Sequence, residues 1–473
     1  MIAIPMETMM LAQATSSAVE SNLLAARYLM AFSLGFHIIL SCLGVAFPAA
    51  IYVAHRRGLR NNDPDALVLA RRWGKAAAVL FAIGAVSGTA LSFEMGLLWP
   101  GLMGTFGDVI GLPFALEGIF FFLEAIFLGI YLYGWRGLRS DIHLATLVPI
   151  ALSGIAGTFC ILAVNGWMNE PAGFDMATYL ATGEVTEVNP WAAMFNGAVL
   201  TQFLHVLPAT YLVTGFLVAS VYAVGMLRGR TDRLHRMGLA IGFAVGAIAA
   251  PIQLITGDLA ARNVASSQPT KFAAMELLEE TTVGAPLTIG GVLIDGEKRF
   301  AIEIPRLTSL LQDFDPDSTI EGLDATPEEL RPPANVVHLS FQLMVGIGTA
   351  LLAFAAYGGW RVWKRGGLPE QRWFLWAVAA SGPAAVIALE AGWTTTEVGR
   401  QPWIAQQVML VSEAVTPRQG IGWLLVGLIV VYSGLAASAV VVLRAMSARW
   451  RKGEDSGTPY GPEPLPDRSM VDA

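Results

Sequence analysis

The sequence predicts an all-α integral membrane protein of nine transmembrane helices, and three observations predict it. Of its 473 residues 54% are hydrophobic and only 14% charged, against about 25% charged in an ordinary soluble protein. The mean hydropathy is +0.55. The apolar residues also gather in blocks of about 20, the length that crosses about 30 Å of hydrocarbon, rather than at amphipathic spacing. The net charge of −7 carries no basic surplus, which sets nucleic-acid binding aside. Cys42 and Cys160, the only cysteines, lie inside apolar blocks without CxxC spacing. A disulfide framework, a cysteine zinc site and a cysteine-held iron–sulfur cluster are therefore not expected. Met1 to Glu20 has no Lys or Arg ahead of its apolar residues and reads as a retained N-terminal segment, not a secretory signal.

The blocks run Tyr28 to Val53, Ala76 to Trp99, Pro113 to Trp135, Leu144 to Trp167, Ala198 to Leu227, Gly238 to Thr256, Val336 to Trp360, Trp373 to Trp393 and Ile421 to Val442. In hydrocarbon every backbone amide needs an internal partner, so blocks of this length without strand alternation are expected as helices. Trp99, Trp135, Trp167, Trp360, Trp373 and Trp393 stand at block ends, as interfacial anchors do. The loops after the first, third, fifth and seventh blocks, with the tail, carry 21 of the 30 Lys and Arg. The positive-inside rule then puts those loops in the cytoplasm, with the N-terminus outside and the C-terminus inside.

The expected organisation is an outside segment 1–26, helices one to six over 27–256, an outside loop 257–335, helices seven to nine over 336–446, and a disordered cytoplasmic tail 447–473. Within the loop, GGVLIDGEKRFAIEIP from Gly290 to Pro305 alternates apolar and polar residues around Asp295 and Gly296, which predicts a small hairpin.

A charged side chain near mid-bilayer costs about 2.5–3.5 kcal/mol on insertion scales and usually marks a working site. His55, His143 and His235 read as solvated loop residues, and His338 as an interfacial histidine at the outer edge of the seventh helix, satisfied by water or backbone. His37 and His205 lie well inside the first and fifth blocks, where metal ligation competes with a satisfied core histidine. At 1.5 Å per residue His37, His205 and Met344 fall roughly 10–15 Å below the outer surface, a shared layer in which a cofactor can sit. Periodicity alone does not pair His205 with Met344, because a methionine in an apolar helix is usually packing. Glu117 and Glu124 share one face of the third helix at i and i+7, about 10 Å apart in rise. They suit a two-step proton relay, the alternative being two protonated structural carboxyls. Glu94 and Glu397 add carboxylates near the outer side.

Several strings together resemble subunit I of the cytochrome bd-type quinol oxidases, from the first helix to just before the ninth. They are ARYLMAFSLGFH ending at His37, PFALEGIFFFLE with Glu117 and Glu124, AVNGWMNEP around Asn165, QFLHVLPATYLVTG around His205, QPTKFAAME at Gln268 to Glu276, SFQLMVG around Met344, and GWTTTEVGRQPW with Trp393, Glu397 and Arg400. The resemblance implies that His205 and Met344 are the axial ligands of heme b558. It implies that His37 and Glu397 serve the two high-spin hemes, b595 and d, with heme b in place of heme d as the variant found in some relatives. Glu117 would lie by the oxygen-reducing centre, Glu124 on the proton path, and Trp393 and Arg400 close to the high-spin hemes.

Lys271 and Glu276 match the quinol-binding positions of the family's Q-loop, here of the short type. The resemblance also implies a heterodimer with a second membrane subunit, subunit II, leaves a small accessory subunit open, and places the complex in the bacterial inner membrane. Gln342 departs from the pattern, standing where many relatives have Arg, which bears on the potential of the b heme. The activity expected is quinol oxidation at the outer face coupled to reduction of O2 to water, with protons drawn from the cytoplasm. Two other classes stay open at this point. An ion or solute transporter would also carry intramembrane Glu and His, though matched Gly/Pro-broken helices are lacking. A non-oxidase cytochrome b, passing electrons from quinol to a partner, needs only His205 and Met344.

Overall fold

The computed structural model describes residues 6–418, 420–453 and 460, with side chains from residue 22 onward. The chain begins with α1 (Met6–Arg60), α2 (Pro64–Leu98) and α3 (Pro100–Gly137), after which a short α4 (Ser140–Ala145) leads into α5 (Leu147–Asn169). Two short helices, α6 (Met176–Thr182) and α7 (Pro190–Met194), precede the long pair α8 (Val199–Leu227) and α9 (Arg233–Ser267). Then come α10 (Pro269–Glu276), α11 (Leu307–Asp313), α12 (Ala334–Arg365), α13 (Arg372–Gly399), α14 (Val411–Ala414) and α15 (Ile421–Arg451). Among the described residues nine helices are long and apolar enough to cross a membrane, α4 and α5 counting as one. Their outward faces carry large apolar side chains, such as Phe122 at 66% and Trp423 at 80% exposure, which suits contact with lipid tails and not with water.

The helices outrun the apolar blocks. The sixth span was expected to end at Thr256, yet α9 continues to Ser267. The added turns are polar, carry an Arg262–Asp258 ion pair at i,i+4 (2.8 Å), and stop where Gln268 meets Pro269. Hydropathy marks the hydrocarbon, whereas backbone hydrogen bonding decides where a helix ends. Likewise α15 runs on to Arg451. Of the tail expected to be disordered, 454–459 and 461–473 lie outside the described residues, and Tyr460 packs against the bundle, as described below.

Four helices form one ring: α8 packs on α9 and α13, and α12 packs on α13 and α9. The backbones of α8 and α9 approach closely because glycines face each other; a Cβ on Gly215 would lie 2.3 Å from the backbone nitrogen of Gly246. Phe216, Phe243 and Phe374 fill the ring's interior. The remaining long helices pack alongside, with α1 touching α2, α5, α8 and α15, and α3 lying on α5. The turn between α1 and α2 is tied to the start of α9 by Arg233 and Asp63 at 2.7 Å.

The segment between α9 and α12 is ordered. Short strands β1 (Thr282–Val283) and β4 (Thr319–Ile320) pair, and β2 (Leu287–Ile294) and β3 (Glu297–Ile304) form the hairpin that alternation predicted. Its turn residues Asp295 (φ 52°) and Gly296 (φ 78°) adopt the left-handed conformation that a two-residue hairpin turn requires. The segment has its own core of Phe272, Leu278, Ile320 and Leu323 against Val337 of α12. It is stitched to α12 by Asn335, which accepts from Leu293 N (2.7 Å) and donates to its oxygen (2.9 Å), and by Gln342, whose amide donates to Thr288 O (3.0 Å). His338 is buried between Met275 O (2.7 Å) and Gly290 O (2.9 Å), in agreement with the expectation of a backbone-satisfied ring. A last pair of strands, β5 (Trp403–Ala405) and β6 (Met409–Leu410), follows α13.

Candidate functional site

His205 projects from α8 and Met344 from α12, two helices placed diagonally across the four-helix ring. Each is bordered by a glycine from an intervening helix. A Cβ on Gly257 of α9 would lie 3.4 Å from His205 Cε1, and one on Gly392 of α13 would lie 2.6 Å from Met344 Sδ. A side chain at 392 would therefore displace the thioether. The amide nitrogen of Gln253 stands 3.2 Å from both ring nitrogens of His205, and Gln253 Oε1 is buried without a partner.

His37, on α1, has a defined tautomer. The hydroxyl of Ser87 on α2 donates to Gly84 O (3.0 Å), so its oxygen accepts from His37 Nδ1–H (2.8 Å), which leaves Nε2 as the unprotonated nitrogen. Gly88 makes room for the ring, and Tyr432 of α15 stacks on Phe36 beside it (4.6 Å). One turn toward the N-terminus of α1, Ser33 donates to Glu94 of α2 (2.8 Å), whose other oxygen is buried and unpaired. On α3, Glu124 faces the small residues Gly44 of α1 and Gly154 of α5, while Glu117 sits two turns away on the same face.

Glu397, Asn165, Asn169, Lys271 and Arg400 form one continuous polar chain. Arg400 Nη2 donates to Glu397 Oε2 (2.5 Å), Asn165 Nδ2 donates to Glu397 Oε1 (2.7 Å), Asn169 Nδ2 reaches Asn165 Oδ1 (3.2 Å), and Lys271 Nζ donates to Asn169 Oδ1 (3.2 Å). Arg400 is 3% exposed, yet its Nε and Nη1 have no hydrogen-bond partner. The stem of Lys271 lies on Gly399, where a Cβ would come within 2.9 Å of its Cγ. This explains why Gly precedes Arg in GRQPW. Trp393 precedes Glu397 by one turn of α13. Burial lowers the Lys271 amine, the Arg400 charge lowers it further and Glu397 opposes this, leaving it at about 7. Lys271, Arg400, Gln401, Trp403, Gln406 and Gln407 are among the residues that line a cavity of about 240 Å³.

Glu276 is not part of this chain. Five residues after Lys271 on α10, it points about 140° around the helix, accepts from Thr308 Oγ1 (3.4 Å) and is 5% exposed. Burial pushes its carboxyl up to about 7, against the Thr308 hydrogen bond and the Lys298 charge. The two residues expected to act together on one ligand thus face different surroundings.

Two functional candidates escaped the sequence reading. Asn169 is invisible without the fold, because its importance lies in bridging residues more than 100 positions apart. Glu390 had a signal: it lies inside the eighth apolar block, seven residues before Glu397 on the same helix, and the rule that singled out Glu117 applies to it equally. It packs against Gly35 of α1, and its Oε1 is buried and unpaired.

One expectation is corrected. His55 and His143 are not solvated loop residues, both being 0% exposed. They lie among Tyr131, Trp135 and Tyr460, whose rings stack on theirs or meet them edge-on. Among the described residues no three His, Cys, Asp or Glu side chains converge on one point.

A family model for cytochrome bd terminal oxidase subunit I matches residues 25–450. A Bacillus subtilis (strain 168) protein, provisionally named cytochrome bd menaquinol oxidase subunit I, is 35% identical over 445 residues, covering 92% of this chain and 99% of that one. Cytochrome bd-II ubiquinol oxidase subunit 1 of Escherichia coli (strain K12) is 28% identical over 412 residues, covering 72% of this chain and 79% of that one. The solved bd oxidase from Geobacillus thermodenitrificans superposes with a TM-score of 0.84 at 38% identity, covering 90% of this chain and 98% of that one. With a match over nearly all the described helices and over the fold itself, the chain belongs to the cytochrome bd terminal oxidase subunit I family and is a membrane-spanning quinol oxidase subunit.

Proposed function

We propose that this subunit holds three hemes, oxidises membrane quinol and reduces O2 to water with protons drawn from the cytoplasm. The observation that carries the reading is the placement of His205 and Met344 on diagonal helices of one ring, each cleared by a glycine. Cofactor sites in helix bundles are built in this way from facing helices.

The residues fit the group. Imidazole and thioether are a neutral donor pair of the kind that holds a heme iron, and His205 and Met344 would hold b558. His37, with Nε2 unprotonated, and Glu397 would each hold one of the high-spin hemes, b595 and d, or heme b in place of d. The unpaired Nε and Nη1 of Arg400 suit the carboxylates such a group carries. When bound, the hemes would supply one-electron transfer and the reduction of oxygen.

The chain's own groups set up that chemistry. Ser87 fixes the His37 tautomer, and Asn165 with Arg400 fixes the orientation of Glu397. Lys271 presents its ammonium to the 240 Å³ cavity, where a quinol oxygen can accept from it. Glu276, on the other face of α10, does not line that cavity; its carboxyl, poised near neutrality, would hold a proton on the side of α10 that Thr308 covers. Glu124 and then Glu117 would carry protons inward along α3, with Trp393 beside the high-spin pair. The N-terminus then lies outside and the C-terminus in the cytoplasm of a bacterial cell, the Q-loop facing outward. A second membrane subunit would cover part of the apolar surface, as the name subunit I implies. Relatives are named for both menaquinol and ubiquinol, so either quinone belongs in the assay.

The test is a reduced-minus-oxidised visible spectrum of the purified complex, with oxygen consumption on a reduced quinol. Three heme signals and oxygen uptake are expected. A colourless preparation would refute the heme reading, and a heme protein that takes electrons from quinol without consuming oxygen would refute the oxidase reading.

A further inference from the structure

At the end of the bundle opposite the Q-loop, four side chains from α1, α3, α4 and the C-terminal segment close into a hydrogen-bonded ring. Tyr460 Oη lies 2.8 Å from His55 Nε2 and 2.6 Å from His143 Nδ1, Tyr131 Oη lies 3.3 Å from His55 Nδ1, and His143 Nε2 lies 2.7 Å from Tyr131 O. The protons can be placed. A carbonyl only accepts, so His143 Nε2 carries hydrogen, and in a neutral ring Nδ1 accepts from the Tyr460 hydroxyl. Tyr460 oxygen then accepts from His55 Nε2–H, and Tyr131 donates to His55 Nδ1. Every hydroxyl and ring N–H donates once and every ring nitrogen has a partner, with both imidazoles neutral.

The polarity matters. It runs from the Tyr131 hydroxyl through His55, Tyr460 and His143 and ends on the Tyr131 carbonyl, which cannot pass a proton on. The ring is therefore a closure and not a relay. Packing supports this: Trp135 lies 5.2 Å from Tyr460 and 4.9 Å from His55, and Gly134 leaves room for His143, whose Cδ2 would be 2.8 Å from a Cβ there. Burial holds the Tyr460 phenol above its usual range, so it keeps the proton it donates.

We propose that His55, His143 and Tyr131 form a socket whose ligand is the chain's own Tyr460, and that seating this phenol holds the chain at residue 460 against the end of α3. Tyr131 lies seven residues beyond Glu124 and fourteen beyond Glu117, on the same face of α3. The seated tyrosine thus closes the bundle at the foot of that carboxylate stripe.

Chymotrypsin, which cuts after tyrosine and phenylalanine alike, tests this on the intact complex. Cleavage after residue 460 should be at least about tenfold slower than in a synthetic peptide of the same sequence. Tyr460→Phe keeps the ring and the cleavage site but removes two hydrogen bonds, and should raise the rate about fivefold to tenfold. His143→Phe should do the same. The reduced-minus-oxidised spectrum and oxygen consumption of Tyr460→Phe should match the parent. Cleavage of the parent at the peptide's rate, or no acceleration in Tyr460→Phe, would overturn the socket. A tenfold loss of oxygen consumption in Tyr460→Phe, with the spectrum intact, would show a relay and overturn the closure.

Discussion

The two buried polar clusters at opposite ends of the bundle differ in one respect. The ring of His55, Tyr131, His143 and Tyr460 satisfies all of its polar atoms internally. The chain from Lys271 through Asn169, Asn165 and Glu397 to Arg400 does not: two guanidinium nitrogens of a 3%-exposed arginine are left over. Native proteins rarely leave buried donors unpaired, and a cluster that does so beside a cavity is shaped for a ligand. The closed cluster needs no further partner, whereas under the proposed function the open one has donors left for a ligand.

Variants should separate the two. The largest effect is expected at the proposed heme donors: His205→Ala should abolish the low-spin b signal and lower quinol oxidation by more than about a hundredfold, the scale of a lost ligand or supporting group at a metal. A normal reduced spectrum would remove His205 from the site. In the open cluster, Arg400→Leu deprives Glu397 of its shortest hydrogen bond. A loss of about 1–3 kcal/mol is expected, or roughly fivefold to 150-fold in oxygen consumption. An unchanged rate would place Glu397 outside the chemistry. Lys271→Met and Asn169→Leu should raise the KM for quinol about tenfold and about threefold respectively, leaving the heme spectrum unchanged. An altered spectrum without a KM change would relocate both to the high-spin site. In the closed cluster, Tyr131→Phe should lower stability by about 1 kcal/mol, seen as a small drop in Tm, with activity intact.

The same comparison has a pH signature within the segment between α9 and α12. Between about pH 7 and 10.5 the unfolded chain binds a proton at Lys271 that the folded chain does not, so stability rises with pH across that window. Glu276 acts in the opposite sense. Between 4.5 and about 7 the folded chain holds a proton that the unfolded chain has lost, so stability falls as pH rises. Thermal melting of Lys271→Met should lose the upper rise and that of Glu276→Gln the lower fall. Parallel curves for parent and variants would mean that neither group is desolvated in the working complex.

Much of this was legible in the sequence because it is local. A run of about 20 apolar residues matches the thickness of a bilayer whatever it packs against, so the spans could be read before any contact was known. The hairpin at Asp295–Gly296 could be read for the same reason, since alternation and turn chemistry act between near neighbours. His37, His205, Met344 and Glu397 stood out as polar groups or as parts of distinctive strings. The helix ends were less legible, since α9 outruns its apolar block by a polar extension.

What only the tertiary structure decided is which of these groups meet. Asn165 and Glu397 are 232 residues apart and His55 and Tyr460 are 405 apart, and no local pattern records such pairs. Composition read His55 and His143 as solvated, yet packing buries them completely, because a ring is neutral and satisfied only when every partner arrives together. Hydropathy is a property of a segment. Satisfaction of a buried polar atom is a property of the whole fold.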